Sequence, residues 1–172
     1  MPNESNINTS NDPLKEKRLS YLYLLYSEFW EINDLINTLM NYKHFVLDVR
    51  ESTQIQNALN IAVVISYARN FKSSRGFSSI DTNAHLIKDF TSEENVLHEQ
   101  MIVWRDQEYA HSDSLPNDIQ VYSEGGYSRR VVRQLLEKKQ LERLKGMVNK
   151  IRYEIGNQIN ELKGGILDTP AK

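Results

Sequence analysis

The chain has 172 residues, no cysteine, 40% hydrophobic and 26% charged residues, and a formal net charge of -2. This is the composition of one ordinary soluble globular domain; it excludes disulfides and thiolate metal sites, and it excludes a protein that coats nucleic acid through bulk positive charge. The longest apolar run, Ile61-Ala62-Val63-Val64-Ile65, is far too short to span a bilayer, so no membrane association is expected, and the lack of thiols suits a cytoplasmic protein.

Residues 1–11 are polar, without the apolar core of a secretory signal, and read as a disordered tail. Asp12-Pro13 places an N-cap before a proline at the first helical position, which predicts the start of a first helix. Leu22, Leu25, Tyr26, Phe29, Ile32, Ile36 and Leu39 continue it with the spacing of a buried stripe. In the connection from Asn41 to Ser52, Phe45-Val46-Leu47 predicts a short extended piece.

A second helix is expected from about Thr53 to Phe71. Its apolar residues Ile55, Ala58, Leu59, Ala62, Val63 and Ile65 cover a wide arc, as in the central helix of a bundle. Ser66 and Arg69 fall on the side of Ile55, Leu59 and Ala62, a polar continuation of an apolar stripe that predicts a polar end facing the third helix. Lys72 to Phe90 reads as a polar loop. Thr91 with Glu94 is a capping-box start for the third helix, which is expected to end near His111, because Ser112 to Asp118 is loop chemistry.

Ile119 to Gly126 reads as irregular, with Gly125-Gly126 as a turn. A helical region is expected from about Ser128 to Lys163, stopped by Gly164-Gly165. Its stripe changes side: Val131, Val132, Leu135 and Leu136 share one face, whereas Leu144, Val148, Ile151, Ile155, Ile159 and Leu162 share nearly the opposite one. The switch falls in Glu137-Lys138-Lys139-Gln140. Either the helix breaks there or one long helix packs its halves against different partners, and the second option favours a homodimer. The expected fold is all-α, an up-down bundle of four to five helices over residues 12–165 with a long carboxyl-terminal helix, followed by a tail at 166–172.

The most informative polar residues are Arg105, Asp106 and His111 at the end of the third helix. A guanidinium grips a phosphate in two places, and an imidazole moves a proton near neutral pH. Asp113 and the helix carboxyl end both favour a protonated His111, suiting a general acid. In one continuous helix, however, residues six apart point about 120° away from each other. The competing reading pairs Arg105 with a carboxylate and has His111 cap the last carbonyls.

His98 lies seven residues before Arg105 on the same side, with Tyr109 nearby, and competes with a plain half-buried histidine. Arg129, Arg130 and Arg133 would cluster in the first turns of the last helix, within a strip of nine basic and two acidic residues from Arg129 to Arg152 that suits an RNA backbone. The alternative is a solvated face neutralised by Glu93, Glu94, Glu99 and Glu108. No two histidines stand four apart and no acidic or histidine group has ligand spacing, so neither metal nor cofactor is expected.

The pattern Arg105, polar Asp106, four residues and His111, in a helical-bundle sequence, resembles the signature of the HEPN superfamily. The phrases Ser66-Tyr67-Ala68-Arg69, Ser74-Arg75-Gly76, Leu97-His98 and Ala110-His111-Ser112-Asp113 also resemble a set of uncharacterised bacterial helical proteins. The resemblance implies a metal-independent endoribonuclease that dimerises around a shared cleft, in toxin–antitoxin, phage-defence or RNA-processing systems. Arg105 and His111 would then be catalytic, helped by Asp106. Ser66, Arg69, His98, Tyr109, Arg129, Arg130 and Arg133 would bind or position RNA. Two departures stand out: a long helical region follows the motif, and no tyrosine lies two residues after His111. The other reading is a non-catalytic module that binds a protein or nucleotide partner.

Overall fold

The computed structural model describes residues 12–48, 50–71, 84–106, 117–121, 127–131 and 134–164, and of the two segments at 117–121 and 127–131 the backbone only. They form an all-α bundle of four helices, α1 (Pro13–Met40), α2 (Gln54–Ala68), α3 (Ser92–Trp104) and α4 (Lys138–Leu162), with a small antiparallel ribbon between the last two. The ribbon pairs β1 (Asn117–Val121) with β2 (Tyr127–Val131), Asn117 opposite Val131 and Val121 opposite Tyr127.

Local chemistry accounts for the helix starts. Asp12 accepts a hydrogen bond from the Leu14 N–H at 3.0 Å, and Pro13 follows it. The Thr53 hydroxyl accepts from the Gln56 N–H at 3.1 Å. Thr91 and Glu94 form the reciprocal box: the Glu94 N–H donates to Thr91 Oγ1 at 3.2 Å, and the Thr91 N–H to Glu94 Oε2 at 2.8 Å. After α4, Gly164 has a φ of 89°, the left-handed conformation that ends helices and favours glycine.

The core is built mainly between α1 and α4. Leu22, Leu25, Phe29, Ile32, Ile36 and Leu39 of α1 are buried, with Tyr26 at the margin; Leu144, Met147, Val148, Ile151, Ile155 and Ile159 of α4 are buried with them. α2 and α3 close the bundle with Val63, Val64, Tyr67, Leu97, Met101 and Trp104. Leu86, from a short 3₁₀ turn (Ala84–Ile87), covers a further part of it.

The expected helix from Ser128 is corrected. β2 occupies 127–131, residues 134–137 have no regular structure, and α4 begins at Lys138 after the N-cap Glu137. The expected irregular stretch from Ile119 likewise begins in β1, while 122–126, including Gly125-Gly126, lies outside the described residues. The side switch in the apolar stripe is therefore a change of secondary structure. Leu135 and Leu136 are buried from an irregular stretch, and the Leu144 set from the helix, so both ends of the stripe that are described are covered within one chain. The stripe no longer argues for a dimer.

α2 also turns a different face to the core. Ile55 is 60% exposed, and Leu59, Ala62, Ser66 and Arg69 are half-buried. The buried face is instead Gln56, Asn60, Val63, Val64, Tyr67 and Ala68. Gln56 and Asn60 are each 1% exposed and one helical turn apart. The Gln56 amide accepts from the Val46 N–H at 3.0 Å and donates to the Val46 carbonyl at 2.6 Å. The Asn60 amide accepts from the Leu136 N–H at 2.9 Å and donates to the Gln134 carbonyl at 3.1 Å. Each side chain thus supplies the donor and acceptor that a neighbouring strand would supply, and so allows non-helical backbone to be buried.

Asn60→Ala should leave the buried Leu136 N–H unpaired and cost about 1–3 kcal/mol of stability. Urea denaturation followed by circular dichroism measures this; an unchanged midpoint would show that the Asn60 clamp contributes nothing.

Candidate functional site

α3 delivers Arg105. The α-helix ends at Trp104, whose side chain is buried, and residues 105–106 continue in a wider π-type turn. Arg105 Nη1 lies 2.7 Å from Asp106 Oδ1, with the two side chains 25% and 33% exposed. The Arg105 Nε is buried and meets no hydrogen-bond partner among the described residues. The guanidinium is therefore held by its neighbouring carboxylate while part of its donor edge stays unused. This satisfies the carboxylate pairing of the competing reading. His111 and Tyr109 lie outside the described residues.

Arg69 and Ser66 are not brought into contact with Arg105. Arg69, at the carboxyl end of α2, has its Nη2 3.6 Å from Glu28 Oε1 of α1, a carboxylate with only a tenth of its side chain exposed. The Ser66 carbonyl accepts from Asn70 Nδ2 at 2.9 Å. No hydrogen bond or ion pair joins either residue to Arg105 among the described residues. The expected polar end is thus turned toward α1, because the stripe that carries Arg69 is the flank of α2 and not its core face.

His98 belongs to the core, which corrects its assignment to substrate. It is 9% exposed; its Nδ1 lies 2.9 Å from the Tyr67 hydroxyl, and its ring meets Phe71 edge-on at 4.6 Å and Phe90 at 6.2 Å. Burial holds the imidazole below its ordinary pKa of 6.5, against the weaker pull of the Glu99 charge. Burial also pushes the Tyr67 hydroxyl well above its usual value, with the Glu94 charge adding to it. The neutral pair is a structural hydrogen bond.

The basic cluster is also rearranged. Arg129 and Arg130 stand in β2, opposite Ile119 and Asp118, and Arg133 lies outside the described residues. The helical geometry expected for Arg129 and Arg130 is absent. Further along, Lys150 Nζ is 2.7 Å from Glu94 Oε2, so α3 does neutralise part of the strip. Burial alone would raise the Glu94 carboxyl; hydrogen bonds from Lys150 and the Thr91 N–H, with the charges of Lys150 and Arg143, bring it below its ordinary value.

A second candidate lies between α1 and α4. Tyr23 and Tyr26 on α1, with Asn149, Arg152, Tyr153, Asn157 and Asn160 on α4, line an open groove of about 500 Å³. Its residues recur at helical spacing, and the signal that points to them is an aromatic row on α1, with Tyr23 and Trp30 flanking Tyr26 of the core stripe.

Comparison with models of known protein families, with curated proteins and with solved structures finds no match for this chain.

The His98 environment has a pH signature. Because its folded pKa is depressed, its contribution to stability is present above the unfolded value of 6.5 and is lost as pH falls through the folded value. Chemical denaturation between neutral and mildly acidic pH should show stability decreasing from about 6.5 downward. His98→Gln, which retains a polar partner for Tyr67, should flatten that part of the profile. Identical profiles for parent and variant would assign the loss to other groups. The Glu94–Lys150 pair adds a separate loss at lower pH, because the Glu94 pKa is also depressed.

Proposed function

We propose that this chain is a HEPN-like, metal-independent endoribonuclease whose active end is the carboxyl terminus of α3. The observation that carries the reading is the position of Arg105 at the carboxyl end of α3, where Asp106 holds its guanidinium at 2.7 Å and a quarter of the side chain stays exposed. In an unbroken α-helix Arg105 and His111 would diverge, so the proposal requires the chain to leave that geometry before His111. The Asp106 contact limits the rotamers of the guanidinium, whose side chain stays a quarter exposed.

In this reading Arg105 binds the scissile phosphate and stabilises the charge that develops on it. The 2′-oxygen bonds to phosphorus and its proton passes to solvent. The 5′-oxygen departs with a proton from His111, leaving a 2′,3′-cyclic phosphate. RNA as substrate, a homodimer, an antitoxin partner and a toxin or phage-defence role are parts of the same proposal, drawn from the resemblance. No helix among the described residues is long and apolar enough to cross a membrane, and a cytoplasmic location is proposed with the rest. A non-catalytic RNA-binding module is the second reading, favoured by the groove between α1 and α4.

Purified protein should cleave single-stranded RNA in the presence of EDTA, produce 2′,3′-cyclic or 3′-phosphate ends, and leave DNA intact, since DNA lacks the attacking hydroxyl. Arg105→Ala and His111→Ala should each lower the rate by on the order of a hundredfold. Denaturing gel analysis of labelled RNA checks both. Full activity in His111→Ala would sink the proposed chemistry, and an inert parent would leave the binding module as the better reading.

A further inference from the structure

The groove between α1 and α4 is a concavity with polar chemistry, and its lining is specific. Tyr23 is 44% exposed, Trp30 48% and Tyr153 73%, so three large aromatic faces stand in solvent along one surface. Two cations lie over these rings: the Arg152 guanidinium 5.2 Å from the Tyr26 centroid and 5.4 Å from that of Trp30, and Lys163 Nζ 5.1 Å from that of Tyr23. Arg152 Nη2 also reaches the Tyr26 hydroxyl at 3.4 Å, whereas its Nε is buried and meets no partner among the described residues. Asn149, Asn157 and Asn160 add amides that both donate and accept, and no acidic side chain lines the groove among the described residues.

Gly156 forms part of the floor. Glycine is a poor residue for a helix interior, and packing does not demand it here, since a Cβ at this position would meet nothing within 4 Å. The absent side chain leaves the concavity open.

We propose that this groove binds single-stranded RNA, with a base stacked on the exposed aromatic rings, the asparagine amides on its edge, and Arg152 and Lys163 toward the phosphates. The inference rests on the RNA reading above and adds to it a binding site distinct from the Arg105 end. Exposed aromatic faces beside cations, with amides and no carboxylate, favour a planar anionic ligand. The volume of about 500 Å³ falls within the range of roughly 300–1,000 Å³ usual for small-ligand sites. The two ends are well separated. Lys150 pairs with Glu94 and Gln140 with Gln100, so α3 and α4 run antiparallel and Arg105 lies beyond the amino-terminal end of α4. From Gln140 to Tyr153 the helix rises roughly 20 Å. A strand that engages both sites must lie along the bundle, so the groove would hold the substrate at a distance from the scissile bond.

The test uses a short fluorescein-labelled single-stranded RNA of mixed sequence, with affinity read by anisotropy and cleavage by gel on the full chain. Gly156→Leu fills the groove in open space, and Tyr153→Ala removes its most exposed ring. Each should weaken RNA binding by about tenfold or more, as loss of one stacked base does, with parental helical content by circular dichroism. Arg105→Ala should abolish cleavage while weakening binding less than either groove variant does. Parental affinity in both folded groove variants would overturn the groove proposal, even with cleavage still dependent on Arg105. Weakened binding in those variants, with no cleavage by any form of the protein, would support the groove and remove the nuclease reading. A parent that neither binds nor cleaves RNA would overturn both.

Discussion

The two buried amides of α2 are the constraint on which the rest of the bundle depends. Gln56 and Asn60 sit one turn apart at the centre of the molecule, and each pairs with both polar groups of a passing backbone. Buried N–H and carbonyl groups left unpaired are costly, so irregular chain is ordinarily confined to the surface. Here the connection after α1 and the stretch before α4 are held against α2 without that cost. Phe45 packs against the core and Leu136 is buried within it. The second clamp fixes the chain directly before Glu137 and Lys138, and so sets where α4 begins and which of its faces meets α1.

The same helix organises the polar interior. Tyr67, two further turns along α2, hydrogen-bonds to His98 of α3 within a set of rings that includes Phe29, Phe71 and Phe90. Burial disfavours charge on both partners, so the pair acts as a neutral link between α2 and α3. Glu28 of α1 pairs with Arg69 at the end of α2, and Glu94 of α3 with Lys150 of α4. These partly buried pairs join different helices, and they draw polar residues into the framework that the sequence alone had suggested for substrate. Among the described residues, the Arg105 end of α3 and the aromatic groove remain as candidate functional surfaces, set apart along the bundle.

Capping chemistry and long apolar stripes were legible because they are local. Asp12-Pro13, Thr53, the Thr91–Glu94 box and Gly164 act within a few residues of themselves, and the Leu22 to Leu39 stripe needs only the helical period to be read. The β-ribbon was not legible in this way. Tyr127 to Val131 can continue a helical pattern into α4, and its pairing with Asn117 to Val121 depends on a partner segment. The core face of α2 was misread for a related reason: Gln56 and Asn60 look like surface residues until the backbone that they clamp is present.

The sequence by itself determined the helical class, the helix starts with polar caps, the terminal glycine stop, the apolar stripes of α1 and α4, and the chemical capacity of the Arg105–Asp106 pair. Each of these follows from residue type and short-range spacing. Tertiary structure alone decided that His98 is a core residue, that Arg69 serves Glu28, that the apolar side switch marks a strand-to-helix boundary, and that Tyr23, Tyr26, Arg152 and Tyr153 share a groove. Those facts depend on residues far apart in the chain meeting across a packed interface. Burial and the choice of partner are properties of that interface, and no local period encodes them.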